Sequence, residues 1–178
     1  MAYIPEVVKT RGLEIKVVED LYPLMQIVTM DQIKQHLNIE LNDDSNNSKL
    51  DMLKYSAINE VETYVQKNLK SKRMIQSYIE VNGTIDLYYG PVTEIESVKD
   101  SAGNNLSHTV SDLNNKITAY NSGGMVVTFV GGYSPTPYDL QNAVLDIIAV
   151  DFDNSVEDKK LAIRAIKERI RHYRPVYV

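Results

Sequence analysis

Lys160, Arg164, Lys167, Arg171 and Arg174 recur at intervals of three or four towards the C-terminal end of the chain. On a helix that spacing lines them along one face. A row of ammonium and guanidinium groups can pair with phosphates or with carboxylates. The charge around this row is uneven. Residues 159–178 hold 7 Lys/Arg and 1 acid, Glu168, a net +6; residues 1–158 hold 12 Lys/Arg and 23 Asp/Glu, a net −11. A dedicated DNA-binding module is basic overall, so the acidic body speaks against one. A basic face that meets an acidic protein surface accounts for both halves of the pattern. The plain alternative is a helix whose charges only keep it soluble.

The other groups capable of chemistry do not converge. His36, His108 and His172 stand in unrelated contexts, and none has a metal-ligand partner four residues on. The stretch Asn42-Asp43-Asp44-Ser45-Asn46-Asn47-Ser48 superficially resembles a calcium loop. Counted from Asn42, its sixth position is Asn47 instead of glycine and its twelfth is Leu53 instead of glutamate. It therefore lacks both the turn residue and the bidentate ligand, and it reads as a connection and helix cap. Gly123-Gly124 and Gly131-Gly132 are not followed by Lys-Ser/Thr and lack dinucleotide spacing. The serines have no nucleophile-elbow context. The acid pairs Asp43/Asp44 and Asp151/Asp153 read as solvated loop and helix-end charges. We expect no catalytic, cofactor-binding or metal-ligating residues.

Composition narrows the classes further. With no cysteine there is no disulfide framework and no thiolate site, which suits assembly in a reducing cytoplasm. No run approaches the ~18 apolar residues of a membrane span. Met1–Glu6 lacks the basic start and apolar core of a secretory signal. Twelve tyrosines stand against two phenylalanines and no tryptophan. Tyrosine joins apolar area to a polar tip, which suits contact surfaces.

The elements follow from periodicity. Residues 1–28 read as an arm broken by Pro5, Gly12 and Pro23. Leu13, Ile15, Val17, Val18, Leu21, Tyr22, Leu24 and Ile27 make it too apolar for a free tail. We expect it to reach a partner, with Leu13, Ile15 and Val17 along a strand edge of its own sheet or a neighbour's. Thr29-Met30-Asp31-Gln32 fits a capping box that opens a short helix to about Leu37. A second helix is predicted over about 48–68, with Leu50, Leu53, Ala57, Val61, Tyr64, Val65 and Leu69 on one face. From about Lys72 to Gly131 the period becomes two, with turn signals at Asn82-Gly83, Gly90-Pro91, Asp100–Asn104 and Asn121–Gly124. Gly131 and Gly132 are expected to act through backbone geometry at the strand exit, ahead of Pro135 and Pro137. An apolar helix follows over about 138–152. The basic helix follows over about 156–173 and Pro175 ends it. The β-prone tail holds Tyr177, a further candidate contact. The fold class is α+β: about four helices packed with a small antiparallel β meander, plus the arm at 1–28, a core at 29–155 and the basic helix and tail at 156–178.

Over roughly residues 27–155 this order resembles the head–tail connector, or adaptor, proteins of tailed bacteriophages. The residues that carry the resemblance are Thr29 to Leu37, the Leu50…Ala57…Val61-Glu62-Thr63-Tyr64 helix, Gly90-Pro91-Val92, and Val130-Gly131-Gly132-Tyr133 with Pro137. The resemblance implies a structural virion protein without catalytic residues or cofactors. Many copies, typically twelve, form a ring beneath the portal protein and extend the DNA channel towards downstream neck or tail proteins. Double-stranded DNA would pass without sequence-specific contact, and no membrane is involved. Assembly would take place in the host cytoplasm. The alternatives are a tail-completion or neck protein one layer further down, or a small nucleic-acid-binding regulator that uses the basic helix.

Overall fold

The computed structural model describes residues 13–20, 27–111, 115–120, 123–153 and 158–175. The chain forms two compact units, and neither is continuous in sequence. One comprises Met1–Pro23 with Lys70–Ser134, the other Leu24–Leu69 with Pro135–Val178. The first holds the described strands and the second the helices, so the α+β class holds.

The β unit contains β1 (Glu14–Asp20), β2 (Lys72–Tyr78), β3 (Asn82–Asp86), β4 (Val92–Asp100), β5 (His108–Val110), β6 (Lys116–Tyr120) and β7 (Met125–Gly131). They form a four-stranded sheet in the order β1-β2-β7-β4 and a three-stranded sheet in the order β3-β6-β5. All pairings are antiparallel. The period of two sets the buried face. Met74, Gln76 and Tyr78 of β2 lie opposite Phe129, Val127 and Met125 of β7, and all six are buried. With Val81, Ile85, Leu87, Val92, Val98, Ile117 and Ala119 the five of them other than Gln76 make one hydrophobic core. Burying each large apolar side chain contributes roughly 1.5–3 kcal/mol.

One local reading changes. Asn82-Gly83 opens β3 instead of turning a hairpin, with Gly83 at φ 121°. The chain leaves β2 at Tyr78, and Ile79 and Glu80 are exposed. Strand β1 pairs with β2 of its own chain, Glu14 opposite Ser77 and Val17 opposite Met74. Of the two edges open to Leu13, Ile15 and Val17, the chain's own sheet is taken: Leu13 and Ile15, candidates for a partner contact, pack against this unit's core, whereas Val17 is 56% exposed. Residues 1–12 and 21–26 of the expected arm lie outside the described residues.

The helical unit contains α1 (Met30–His36), α2 (Asn47–Val65), α3 (Tyr138–Phe152) and α4 (Lys159–Arg169), followed by a 3-10 turn at Arg171–Tyr173. The capping box forms as read. The Gln32 amide donates to Thr29 Oγ1 at 3.2 Å, and the Thr29 amide donates to Gln32 Oε1 at 2.7 Å. Such a cap contributes about 1 kcal/mol. Helix α3 packs against α1, α2 and α4. It buries Leu140, Ala143, Val144, Ile147 and Ile148, which explains why its apolar residues cover more than one face. Helix α4 starts later than its apolar spacing predicts. Asp158 accepts from the Leu161 amide at 2.9 Å and caps it. An acidic N-cap defines a helix start more sharply than side-chain periodicity does.

Candidate functional site

The basic face of α4 is built by the stripe opposite it. Ile166 and Ile170 are buried, which turns Arg164 and its neighbours outward. Much of the face is engaged within the chain. Lys167 Nζ lies 2.8 Å from Glu60 Oε1 of α2. The Lys167 ammonium and the Arg174 guanidinium both lie over the Tyr64 ring, 5.7 and 5.0 Å from its centroid. Arg169 pairs with Asp146 of α3, which also stands 3.1 Å from His36 Nε2. Arg171 Nη1 is 3.7 Å from Glu168 Oε2, and Lys159 Nζ donates to the Asp151 carbonyl at 3.0 Å. Of the four cations expected to dock, Arg164 is exposed and makes no ion pair among the described residues. Lys167 and Arg174 help to clamp α4 onto α2. Tyr64 is the residue whose role the sequence hid: its helical spacing marks it as apolar stripe, and the cations above it come from α4 and from Arg174 just after the 3-10 turn.

The calcium-like loop closes around the protein's own cation. The Lys34 side chain is only 2% exposed. Its ammonium donates to the Leu41 carbonyl at 3.0 Å and to Asp44 Oδ1 at 2.9 Å. Asn47 Nδ2 donates to the same oxygen at 2.7 Å. The hydrogen bond from Lys34, then that from Asn47, holds the Asp44 carboxyl below its ordinary pKa. Asp43 caps the turn by accepting from the Ser45 amide at 2.9 Å. Among the described residues no three His, Cys, Asp or Glu gather as a metal-holding group.

The strand exit is shaped by backbone. Gly132 takes φ 127°, a region L side chains avoid. Its amide donates to the Pro91 carbonyl at 2.9 Å. A Cβ on Gly131 would stand 3.0 Å from the Tyr89 carbonyl oxygen and 3.1 Å from Phe129 Cε2. In the helical unit Pro137 is the N-cap of α3, with φ −57° and ψ 141°. Its carbonyl accepts from the Leu140 and Gln141 amides. Tyr177 lies outside the described residues.

A buried polar knot in the β unit has no counterpart among the expected sites. Gln76 Nε2 donates to the Asp86 carbonyl at 2.7 Å and to the Tyr78 hydroxyl. The Tyr78 hydroxyl also donates to the Asp86 carbonyl, at 2.9 Å, and Gln76 Oε1 accepts from the Tyr88 amide at 3.1 Å. Burial pushes the Tyr78 phenol well above its ordinary value. These bonds tie β2 to the end of β3 and have a structural character.

No protein-family model matches the sequence, and a search of curated proteins finds no relative. Among solved structures, the chain is similar to a chain of the neck of an empty GTA particle computed with C6 symmetry. The two share 17% identity with a TM-score of 0.64, over 93% of this chain and 97% of that one. At this identity the likeness is one of fold, and it spans nearly the whole of both chains.

Proposed function

We infer that the chain is a structural protein of a phage-type neck, with no enzymatic role. Its copies form a ring, twelve by the family resemblance, that joins the portal of the head to the tail and continues the DNA channel. The observation that carries this reading is the fold shared with a neck chain over 93% of this sequence. The order of motifs that resembles the connector family supports it from the sequence side.

Function is then a matter of interfaces. In a closed ring each copy buries one surface against the copy before it and a different one against the copy after it. Repetition around the ring turns modest contacts into a firm joint, because later contacts form within an assembly already held together. The net −11 of residues 1–158 would keep passing DNA from adhering to an acidic wall. A position one layer further down the neck fits the same fold. The nucleic-acid-binding reading is weakened, because Lys167, Arg169 and Arg171 pair with acids of their own chain.

Electron microscopy of particles carrying a tagged chain tests the reading. Density for one ring of copies between head and tail is expected. A chain found in the capsid shell, or missing from particles, would overturn it. Strong salt-dependent binding of duplex DNA by the purified chain would favour the regulator instead.

A further inference from the structure

Two leucines of the helical unit stand out in solvent. Leu41, in the connection from α1 to α2, is 50% exposed, and Leu161, in the first turn of α4, is 62% exposed. The charges around them have opposite signs. Glu40 precedes Leu41, and Asp43 and Asp44 follow it; residues 39–48 hold these acids and no Lys or Arg. Lys160 precedes Leu161, and Arg164 lies about one turn further along the same face. Glu40, Asp43, Lys160 and Arg164 are all exposed. Asp44 is held by Lys34, and Asp43 bonds within its own turn, to Ser45. Glu40, Lys160 and Arg164 make no ion pair among the described residues. The later cations of α4 are already engaged, Lys167 with Glu60 and Arg169 with Asp146. The fold thus leaves one leucine beside carboxylates and another beside unpaired cations.

The kind of partner follows from the pair. A closed ring needs two different surfaces on each chain that fit one another. These two fit in chemistry. Leucine against leucine removes apolar area from water, and Lys160 and Arg164 would face carboxylates. Within one copy they do not meet, since no ion pair joins residues 40–44 to residues 160–164 among the described residues. The charge of the whole chain is divided the same way, a net −11 over residues 1–158 and +6 over residues 159–178, so unlike surfaces of two copies attract where like ones repel. A phosphate backbone would satisfy the cations but leave Leu161 against charge. We propose that Leu161 of one copy, flanked by Lys160 and Arg164, seats beside Leu41 of the next, against Glu40 and Asp43, as one part of the surface that lateral neighbours bury. The proposal rests on the neck reading for its ring and on these residues for its two surfaces.

A water-soluble carbodiimide, which joins an ammonium to a carboxylate in direct contact, tests it on the full-length chain. It is applied to a purified mixture of normal and heavy-nitrogen copies, and to particles assembled from that mixture. The expected product links Lys160 to Glu40 or Asp43 in peptide pairs that combine the two labels. Arg164→Glu should lower its yield about tenfold or more, because a carboxylate then faces carboxylates. Adding Glu40→Lys should recover most of that yield at Asp43. The melting temperature should stay put in both variants, since both sites are exposed. Links confined to one label, Lys160 joined only to a different protein, no product in either preparation, a yield indifferent to Arg164→Glu, or no recovery with Glu40→Lys would overturn the proposal. Mixed-label product from purified chain, with the chain absent from particle necks, would overturn the neck reading and leave the contact standing. A chain located in necks without that product would do the reverse.

Discussion

The two units place their polar bonds in opposite positions. The β unit buries a knot of them: Gln76 is 0% and Tyr78 4% exposed, and both reach the Asp86 carbonyl. The helical unit wears most of its bonds near the surface, with Lys167–Glu60, Arg169–Asp146 and Arg171–Glu168 at its edges. Lys34 and Thr136 are exceptions, a buried lysine whose ammonium ties a loop and a buried hydroxyl that donates to the Leu69 carbonyl. The difference is energetic. A buried polar group that loses its partner costs its full desolvation, whereas an exposed ion pair that breaks is replaced by water. The rows of charge that dominate the sequence should therefore contribute little to stability, and an inconspicuous glutamine should contribute much.

The largest effect is expected at Gln76. Gln76→Leu strips three hydrogen bonds from the interior of the β unit and should cost about 2–4 kcal/mol in urea unfolding. A cost under about 1 kcal/mol would erase the contrast between the units.

Tyr78→Phe comes next, at about 1–2 kcal/mol for the buried hydroxyl that accepts from Gln76 and donates to the Asp86 carbonyl. It also carries a pH signature. Burial raises the Tyr78 phenol above its ordinary 10.0, so the folded state favours the neutral form. The stabilisation is complete below pH 10 and is lost as pH rises beyond it. The wild-type chain should lose stability on the alkaline side faster than Tyr78→Phe. Parallel alkaline limbs would show that the phenol is not held neutral.

Lys34→Met should cost less, about 1 kcal/mol for the lost bond to the Leu41 carbonyl. Its signature lies at acid pH. The Asp44 carboxyl is held below its ordinary 3.8, first by Lys34. Its contribution is therefore present above that value and lost as pH falls through the lowered one. Thermal melts from pH 5 to pH 2 should fall less steeply for Lys34→Met than for wild type.

Lys167→Ala should be smallest, at most about 1 kcal/mol, because the Lys167–Glu60 pair is only partly buried. Raising the salt should remove most of that difference. Arg164→Glu is the companion control and should leave stability unchanged within ~0.5 kcal/mol. A large loss at either position would mean that the surface ties hold the helical unit as firmly as the knot holds the β unit.

Local chemistry was legible in the sequence. Thr29 and Gln32 announce a capping box, and the box forms. Pro137 and the apolar run after it set α3 at Tyr138–Phe152, as read. Asp100 to Asn104 turns as expected, with the Asp100 carboxylate accepting from the Ala102 and Asn104 amides. Each of these is decided within one turn of chain, by dihedral preference and side-chain reach. What needed a distant partner was not legible. The pairing of β2 with β7 and of β3 with β6 spans tens of residues, and the alternation that marks a strand says nothing about which strand lies beside it. The tertiary structure placed Asn82-Gly83 inside a strand, against its local preference for a turn. It joined segments on either side of residues 70–134 into one helical unit, and it set Lys167 over Tyr64. The sequence displays the charges of α4 openly; which of them the fold neutralises depends on packing between helices, a long-range free energy that spacing along one helix does not contain.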